Sequence, residues 1–116
     1  MDRERDVEKW LKKEIEGLGG EFWKFTSPGR DGVPDRIAMF PDGRLVFVEL
    51  KTTKGKPTKV QRYQIGVLLA MRRQVCIVRG KRAAKEFLED MMGRGTLSLD
   101  YFSDGSRMMI EEWKKL

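Results

Sequence analysis

The chain has 116 residues, of which 40 % are hydrophobic, enough to build the core of one domain. Its 24 lysines and arginines exceed its 18 acidic residues and give a net charge of +6, which favours a polyanionic partner, although a solvated basic surface has the same composition. It contains no histidine and one cysteine, so intrachain disulfides, zinc sites of imidazole and thiolate, and catalysis by a histidine base are excluded. Any catalysis must then use carboxylates, lysines and a recruited metal ion.

The first part of the chain predicts a helix, a strand and a loop. From Asp2 to Leu18, an apolar stripe recurs at helical spacing and consists of Val7, Trp10 or Leu11, Ile15 and Leu18. Gly19 and Gly20 are expected to end that helix. The aromatic segment 21–26 favours a strand. Two prolines and two glycines within residues 27–34 predict an irregular loop.

The clearest local pattern is a β-hairpin. Strand-forming segments at 35–40 and 44–51 flank the tripeptide Pro41-Asp42-Gly43, a turn in which the glycine supplies the left-handed residue. Such a turn places Phe40 opposite Arg44. Each step away from the turn then pairs the next residue on either strand, which fixes the register of the whole hairpin.

A helix and a parallel strand are expected to follow the hairpin. The basic loop 52–58 leads into a helix that begins at Thr58 or Lys59 and extends to about Arg73. The apolar segment 75–79 predicts a strand. Because a helix separates this strand from the hairpin, the two should pair in parallel.

The last third of the chain is less clear. Residues 83–92 predict a second helix on the surface, which ends near Gly93 to Gly95. Residues 96–102 alternate like a strand, and residues 103–106 favour a turn. Residues 107–116 fit either a strand or a closing helix.

Signals for membrane insertion or export are missing from the sequence. No apolar stretch approaches the length that spans a bilayer, and the polar, acidic amino terminus differs from a signal peptide. We therefore expect a cytoplasmic protein without a membrane partner. Cys76 lies in an apolar segment and is expected to be a buried structural thiol.

The predicted hairpin brings two carboxylates together. Asp35 faces Glu49, and Lys51 points to the same side as Glu49. Facing carboxylates repel each other unless a positive charge lies between them, and oxygen ligands suit Mg²⁺ or Mn²⁺. A metal ion there would polarise a phosphate, and Lys51 would orient water or stabilise developing charge. Alternatively, Asp35 caps its strand and Glu49 pairs with Lys51 or Arg36 on a solvated face, but Glu49 interrupts an otherwise apolar strand.

These residues resemble a known signature. Pro34-Asp35 and Glu49-Leu50-Lys51 resemble the two halves of the PD-(D/E)XK nuclease motif. The segments GVPDR, FVELK and KPTKVQ are similar to those of one branch, the VRR-NUC family of virus-type replication and repair nucleases. The similarity extends from the first helix to about residue 79.

The resemblance implies an α/β fold with a restriction-endonuclease-like core, in which a mixed sheet of order α-β-β-β-α-β is flanked by helices. It implies one nuclease domain over residues 1–116, with residues 81–116 as a C-terminal extension of uncertain structure. The implied activity is Mg²⁺- or Mn²⁺-dependent hydrolysis of DNA, often branched DNA such as four-way junctions, by a homodimer in a bacterial or phage-infected cell. The alternatives are an inactive DNA-binding module with the same fold and a small structural protein; the intact motif argues against the former.

The resemblance also assigns roles to single residues. Asp35 and Glu49 become metal ligands, the backbone carbonyl of Leu50 a further ligand, and Lys51 the catalytic lysine. Gln61 matches the family's glutamine at the start of the next helix. It would contact the lysine, water or a phosphate, but it could equally be a surface residue of the first helical turn.

The family has a further acidic residue on its first helix, which takes part in catalysis and metal binding. The candidates are Glu4 and Glu8, which lie four residues apart on one helix face. Counting back from Gly19 as in VRR-NUC proteins selects Glu4, whereas counting as in the archaeal Holliday-junction resolvases selects Glu8. Because Glu8 adjoins the apolar stripe that faces the sheet, it is slightly favoured.

Two loops that flank the predicted site carry candidate DNA contacts. In the first loop, small residues let backbone amides approach phosphates and an arginine adds charge. In the second, lysines attract DNA regardless of its sequence. The candidates are Ser27, Gly29, Arg30 and Gly32 in the first loop, and Lys54, Lys56 and Lys59 in the second. Since no motif that reads bases is present, DNA structure should matter more than DNA sequence.

Overall fold

One six-stranded mixed sheet organises the computed structural model, which describes the backbone of residues 3–115 and the side chains of residues 3–113. The elements in chain order are α1 (Glu4–Gly17), β1 (Glu21–Lys24), β2 (Arg36–Met39), β3 (Leu45–Lys51), α2 (Lys59–Ala70), β4 (Gln74–Arg79), α3 (Gly80–Met92), β5 (Leu99–Tyr101), β6 (Arg107–Met109) and a terminal 3₁₀ helix (Ile110–Lys115). Asp2 and Leu116, where the predicted first helix begins and the predicted tail ends, lie outside the described residues.

The strands lie in the sheet in the same order as in the chain. The pairs β1–β2 and β2–β3 are antiparallel, β3–β4 and β4–β5 are parallel, and β5–β6 is again antiparallel. The α/β class and the α-β-β-β-α-β core are therefore confirmed, as is the parallel pairing across α2. The sheet is mixed because helices α2 and α3 connect the parallel pairs β3–β4 and β4–β5, whereas the antiparallel pairs are connected without helices.

The hairpin of β2 and β3 has the predicted register. Arg36 pairs with Val48 and Met39 with Leu45. At the turn, the amide of Phe40 donates to the carbonyl of Arg44 over 3.0 Å, and Gly43 has a φ of 97°. A glycine adopts this left-handed conformation without steric cost, so the turn is a local property of the sequence.

Helix α1 ends in a Schellman motif. The amide of Gly20 donates to the carbonyl of Ile15 over 2.9 Å, the amide of Gly19 donates to that of Glu16 over 3.0 Å, and Gly19 has a φ of 87°. The predicted apolar stripe is buried at Val7, Leu11 and Ile15. Leu18, also assigned to that stripe, is exposed, because the helix ends at Gly17 and Leu18 is its C-cap.

Helices cover both faces of the sheet. On one face, α1 and α3 pack over a core that includes Val46, Val48 and Leu50 of β3. On the other face, α2 packs over a smaller cluster that contains Ile65 and Ile77. Alternate residues of β3 therefore point to opposite layers, and Glu49 faces the layer of α2.

The last third of the chain continues the sheet. The predicted second helix is present as α3, but it begins at Gly80 and buries one face against α1 and the sheet. The strand expected over 96–102 is only three residues long, Leu99–Tyr101. The segment from Arg107 contains both of the alternatives considered, a short strand followed by a 3₁₀ helix. Among the described residues, the helices are too short or too polar to cross a bilayer.

Cys76 is expected to be chemically inert in the folded protein. It lies in β4 with no exposed surface, and burial raises the pKa of its thiol to about 12. Since the thiolate is the nucleophile, alkylating reagents should not react near pH 8 until the chain unfolds. Labelling with a thiol-specific chromophore in the presence and absence of urea tests this. Rapid stoichiometric labelling without urea would contradict the burial of Cys76.

Candidate active site

Glu49 is the central carboxylate of the site. It lies in β3 with only 6 % of its surface exposed. The pairing of Arg36 with Val48 leaves Asp35 and Glu49 as the next facing positions on the two strands. The side chain of Asp35, in contrast, is 58 % exposed. One carboxylate is thus held inside the protein and the other at its surface, both at one end of the hairpin.

Burial, helped by the nearby negative charge of Asp35, raises the pKa of Glu49 from 4.5 to about 7. The charge of Lys51 acts in the opposite direction but does not compensate. The positive charge around this carboxylate is therefore too small to offset its burial and the neighbouring negative charge. A hard cation bound by oxygen atoms would supply that charge, so the donor chemistry and the electrostatics of these residues fit Mg²⁺ or Mn²⁺.

Two polar side chains contact Glu49. The ammonium of Lys51 lies 3.7 Å from its Oε2, and the amide Nε2 of Gln61 donates to the same oxygen over 3.3 Å. Lys51 belongs to the same strand, two residues on, so its side chain emerges from the same face of the sheet. The structure thus brings together three of the predicted site residues.

A capping box at the start of α2 orients Gln61. The backbone N–H of Gln61 donates to Thr58 Oγ1 over 3.1 Å. In return, the side-chain Oε1 of Gln61 accepts from the backbone N–H of Thr58 over 2.9 Å. With its oxygen engaged, the side chain directs its NH₂ group towards Glu49. The spacing Thr58-x-x-Gln61 is the sequence signature of this motif, so the orientation could have been predicted.

The two candidate helix acids, Glu4 and Glu8 of α1, have different surroundings. Glu8 accepts from Nε of Arg36 over 2.7 Å and also from Nη2 of the same guanidinium. Arg36 in turn pairs with Asp35 over 2.7 Å. Glu4 is exposed, and its negative charge contributes to the raised pKa of Glu49. Glu8 is therefore engaged in an ion pair with Arg36, whereas the negative charge of Glu4 acts on Glu49.

No ready-made cage of three or more acidic, cysteine or histidine side chains is present within the described part of the chain. The oxygen donors grouped here are Asp35 and Glu49, with the backbone of Leu50 following Glu49 on β3. Such a set would have to be completed by water or substrate oxygen atoms, as is usual for Mg²⁺.

Both predicted DNA-contact loops lie at the start of α2. Five of the seven candidates, namely Gly29, Arg30, Lys54, Lys56 and Lys59, are exposed, whereas Ser27 and Gly32 are half-buried. The need for glycine at position 32 has a structural cause. Gly32 has a φ of 84°, and a Cβ there would lie 2.6 Å from the side chain of Val60 and 2.8 Å from its backbone.

Gly32→Ala should therefore displace the loop of residues 27–34. We expect a loss of about 1–3 kcal/mol in the free energy of unfolding, because a left-handed backbone and a backbone clash are imposed together. The matched control is Gly29→Ala in the same loop, where a Cβ meets nothing within 4 Å. Urea denaturation of the two variants measures the difference, and equal midpoints would contradict the packing of Gly32 against Val60.

Two buried charges were not anticipated from the sequence. Arg79, at the end of β4, is 5 % exposed, and Asp100, in β5, is 2 % exposed. They form an ion pair through Nη1 of the arginine. Each of the two predicted strand segments, 75–79 and 96–102, contains one of these charged residues, which could have indicated a buried charge. Nothing in the sequence indicated that the two residues are partners.

Comparisons with known proteins agree with this geometry. The phage protein named "Putative nuclease p44", from Acyrthosiphon pisum secondary endosymbiont phage 1, is 43 % identical over 76 residues, which cover 66 % of this chain and 82 % of the relative. A solved structure described as a VRR_NUC domain is 29 % identical, with a TM-score of 0.71, over 77 % of this chain and 97 % of the other. No family model matches the chain.

The mixed sheet and the paired carboxylates of its central hairpin define an α/β protein with a PD-(D/E)XK nuclease fold. The chain belongs to the VRR-NUC family. The fold and the phage relative together indicate a nuclease.

Proposed function

We propose that this protein is a divalent-metal-dependent endonuclease that hydrolyses phosphodiester bonds of DNA. The observation that carries the proposal is the buried Glu49, which contacts Lys51 and Gln61 and lies opposite Asp35. At and above neutral pH, the ionised form of a buried carboxylate with a raised pKa lowers the stability of the fold. Such a group is typical of a functional site.

Asp35, Glu49 and the carbonyl of Leu50 would hold the metal ion. When bound, Mg²⁺ or Mn²⁺ would polarise the scissile phosphate and neutralise its developing negative charge. Lys51 would keep its ammonium next to the phosphate, where it orients the attacking water and donates to the phosphate oxygens. Gln61, fixed by its capping box, would hold Glu49 in position and offer its second amide hydrogen to water or phosphate.

For the helix acid we propose Glu4 rather than Glu8. The support is electrostatic: the charge of Glu4 acts on Glu49, whereas Glu8 is paired with Arg36. Glu8 would then act indirectly, because it holds Arg36 beside Asp35. Glu4→Gln should weaken the apparent Mn²⁺ affinity in cleavage assays, and Glu8→Gln should mainly reduce stability. The reverse pattern would assign the role to Glu8.

The substrate we propose is branched DNA such as a four-way junction. The exposed cations of the two loops, Arg30, Lys54, Lys56 and Lys59, would track phosphates without reading bases. Such contacts select for the shape of the backbone. DNA of this kind is found in the cytoplasm of a bacterial or phage-infected cell, and the phage origin of the relative supports that location.

A homodimer is the assembly that suits this substrate, since two copies related by a twofold axis present one site to each of two strands. Support comes from the outer face of α2, where Val60 is half-exposed and Tyr63 is 68 % exposed. Light scattering after gel filtration should give twice the mass of one chain. The mass of a single chain, measured at assay concentrations, would count against this arrangement.

The activity is tested with labelled duplex, flap and four-way-junction DNA in Mg²⁺, Mn²⁺ or EDTA. We expect cutting with either metal, none with EDTA, and a loss of about 10³-fold or more for Lys51→Ala. The exposed Lys24→Ala serves as the control. If the wild type binds DNA but cuts none of the substrates, the protein is an inactive DNA-binding module and the proposed activity is wrong.

A further inference from the structure

A cleft lies beside the proposed active site. Lys54 and Lys56 at its edge are already candidate phosphate contacts, but its aromatic walls have no role in the steps above. The cleft has a volume of about 380 Å³ and is bordered by the loop that follows β3. Lys51 pairs with Arg79 in the register of β3 and β4, and the Nε of Arg79 donates to the carbonyl of Gly55 over 2.6 Å. This hydrogen bond holds the loop against β4, so the cleft begins one strand away from Lys51.

Aromatic rings form the walls of this cleft. Phe102, which follows β5, and Trp113, in the terminal 3₁₀ helix, both line it. Each ring already stacks with a guanidinium, Phe102 with Arg79 at 4.6 Å and Trp113 with Arg62 at 4.5 Å from the ring centroid. Both aromatic rings are thus held in place by the surrounding side chains.

Positive charge surrounds the aromatic walls. The exposed side chains of Lys54, Lys56 and Arg62 lie at the rim of the cleft. Within residues 3–113, no carboxylate forms an ion pair with any of these three. The one acid in the cleft, Asp100, is already paired with Arg79 and accepts from the Trp113 indole over 3.3 Å.

Stacking rings with unpaired cations around them are the means by which proteins bind single-stranded nucleic acid. The bases stack on the rings and the cations contact the phosphates. In a continuous duplex both faces of a base are covered by its neighbours, so such a cleft can receive only an unpaired nucleotide. An anionic peptide could also bind the cations, but its backbone and carboxylates would not stack on the aromatic rings.

We propose that this cleft binds an unpaired nucleotide of the DNA substrate, with its base stacked against Trp113 and Phe102 and its phosphates bound by Lys54 and Lys56. The identity of the ligand as DNA rests on the proposed nuclease function. Because the lysines belong to the loop that follows Lys51, the bound nucleotide lies next to the phosphate that is to be cut. The cleft therefore selects DNA in which a single strand leaves a duplex near the active site.

Binding is measured in EDTA by fluorescence anisotropy, so that no cleavage is needed. The probes are a labelled blunt duplex and the same duplex with a single-stranded extension. Stacking contributes about 1–3 kcal/mol per base, so the wild type should bind the extended duplex about 5- to 150-fold more tightly than the blunt one. Trp113→Leu and Phe102→Leu should each remove most of that preference and leave the affinity for blunt duplex unchanged.

The matched control is Trp23→Leu, which removes a 54 % exposed tryptophan from β1, outside the cleft, and should keep the preference. Phe102→Leu also keeps the test decisive if Trp113→Leu does not fold. Equal affinity of the wild type for both probes, or a preference that survives in Phe102→Leu, overturns the inference. A wild type that prefers the extension but cuts no DNA with Mg²⁺ or Mn²⁺ supports the cleft and refutes the proposed nuclease activity.

Discussion

Glu49→Gln is expected to abolish cleavage and, in the absence of metal, to make the protein more stable at neutral pH. Glutamine keeps the shape of the side chain and can still accept the hydrogen bond from Gln61. It cannot carry the charge that a cation requires, so the cleavage rate should fall by about 10³-fold or more. Few structural carboxylates would give these two opposite effects.

The gain in stability follows from the pKa of Glu49, which is about 7 in the folded protein against an ordinary value of 4.5. Because the folded pKa is the higher one, the protonated form stabilises the fold. That contribution is fully present below pH 4.5 and is lost as the pH rises through 7. In EDTA, wild-type stability should fall over this range by up to about 3 kcal/mol relative to Glu49→Gln, which has no such titration.

Urea denaturation at several pH values, in EDTA, measures the difference between the two proteins. Glu14→Gln is the control, since Glu14 is exposed on α1 and its neutralisation should change neither cleavage nor the pH profile. Adding Mn²⁺ should stabilise the wild type and leave Glu49→Gln unaffected. Parallel pH profiles for the wild type and Glu49→Gln would show that Glu49 titrates normally and would refute this explanation.

The hairpin could be predicted from sequence because its determinants are local. The turn at Gly43 fixes which residues face each other, and the alternation of a strand then places Glu49 and Lys51 on one side. The contact between Gln61 and Glu49 depends in addition on how α2 packs against the sheet. The sequence alone left two roles open for Gln61, although the capping residue Thr58 was present in the pattern.

The residues that could not be predicted are those whose surroundings come from distant segments. Glu4 and Glu8 share one helix face, and only the approach of α1 to β2 brings Glu8 to Arg36. The strand β5 lies within the predicted segment 96–102, and β6 was one of the two alternatives for residues 107–116. Their short extents, three residues each, depend on pairing with β4 and with each other. Without β5, the backbone groups at the edge of β4 would be unpaired.

Arg79→Met should lower the free energy of unfolding by about 3–5 kcal/mol, because it leaves Asp100 buried without its counter-charge. The guanidinium also donates to the carbonyl of Gly55 and lies over Phe102. Methionine can replace only the apolar contacts made by the aliphatic part of the arginine side chain. Urea denaturation gives the free energy. The exposed pair Lys12–Glu16 is the control, and Glu16→Gln should cost less than about 1 kcal/mol.

The double variant Arg79→Met/Asp100→Leu separates the cost of an unpaired charge from the value of the pair itself. If most of the loss reflects the orphaned carboxylate, removing Asp100 as well should recover a large part of the stability. The bond from Arg79 to Gly55 is lost in both variants, so the loop with Lys54 and Lys56 should remain loosened after stability returns. Cleavage would then stay impaired in a stable protein, which would show that the buried pair serves the position of the basic loop and not only the free energy of folding. Recovery of both stability and cleavage would limit its role to folding.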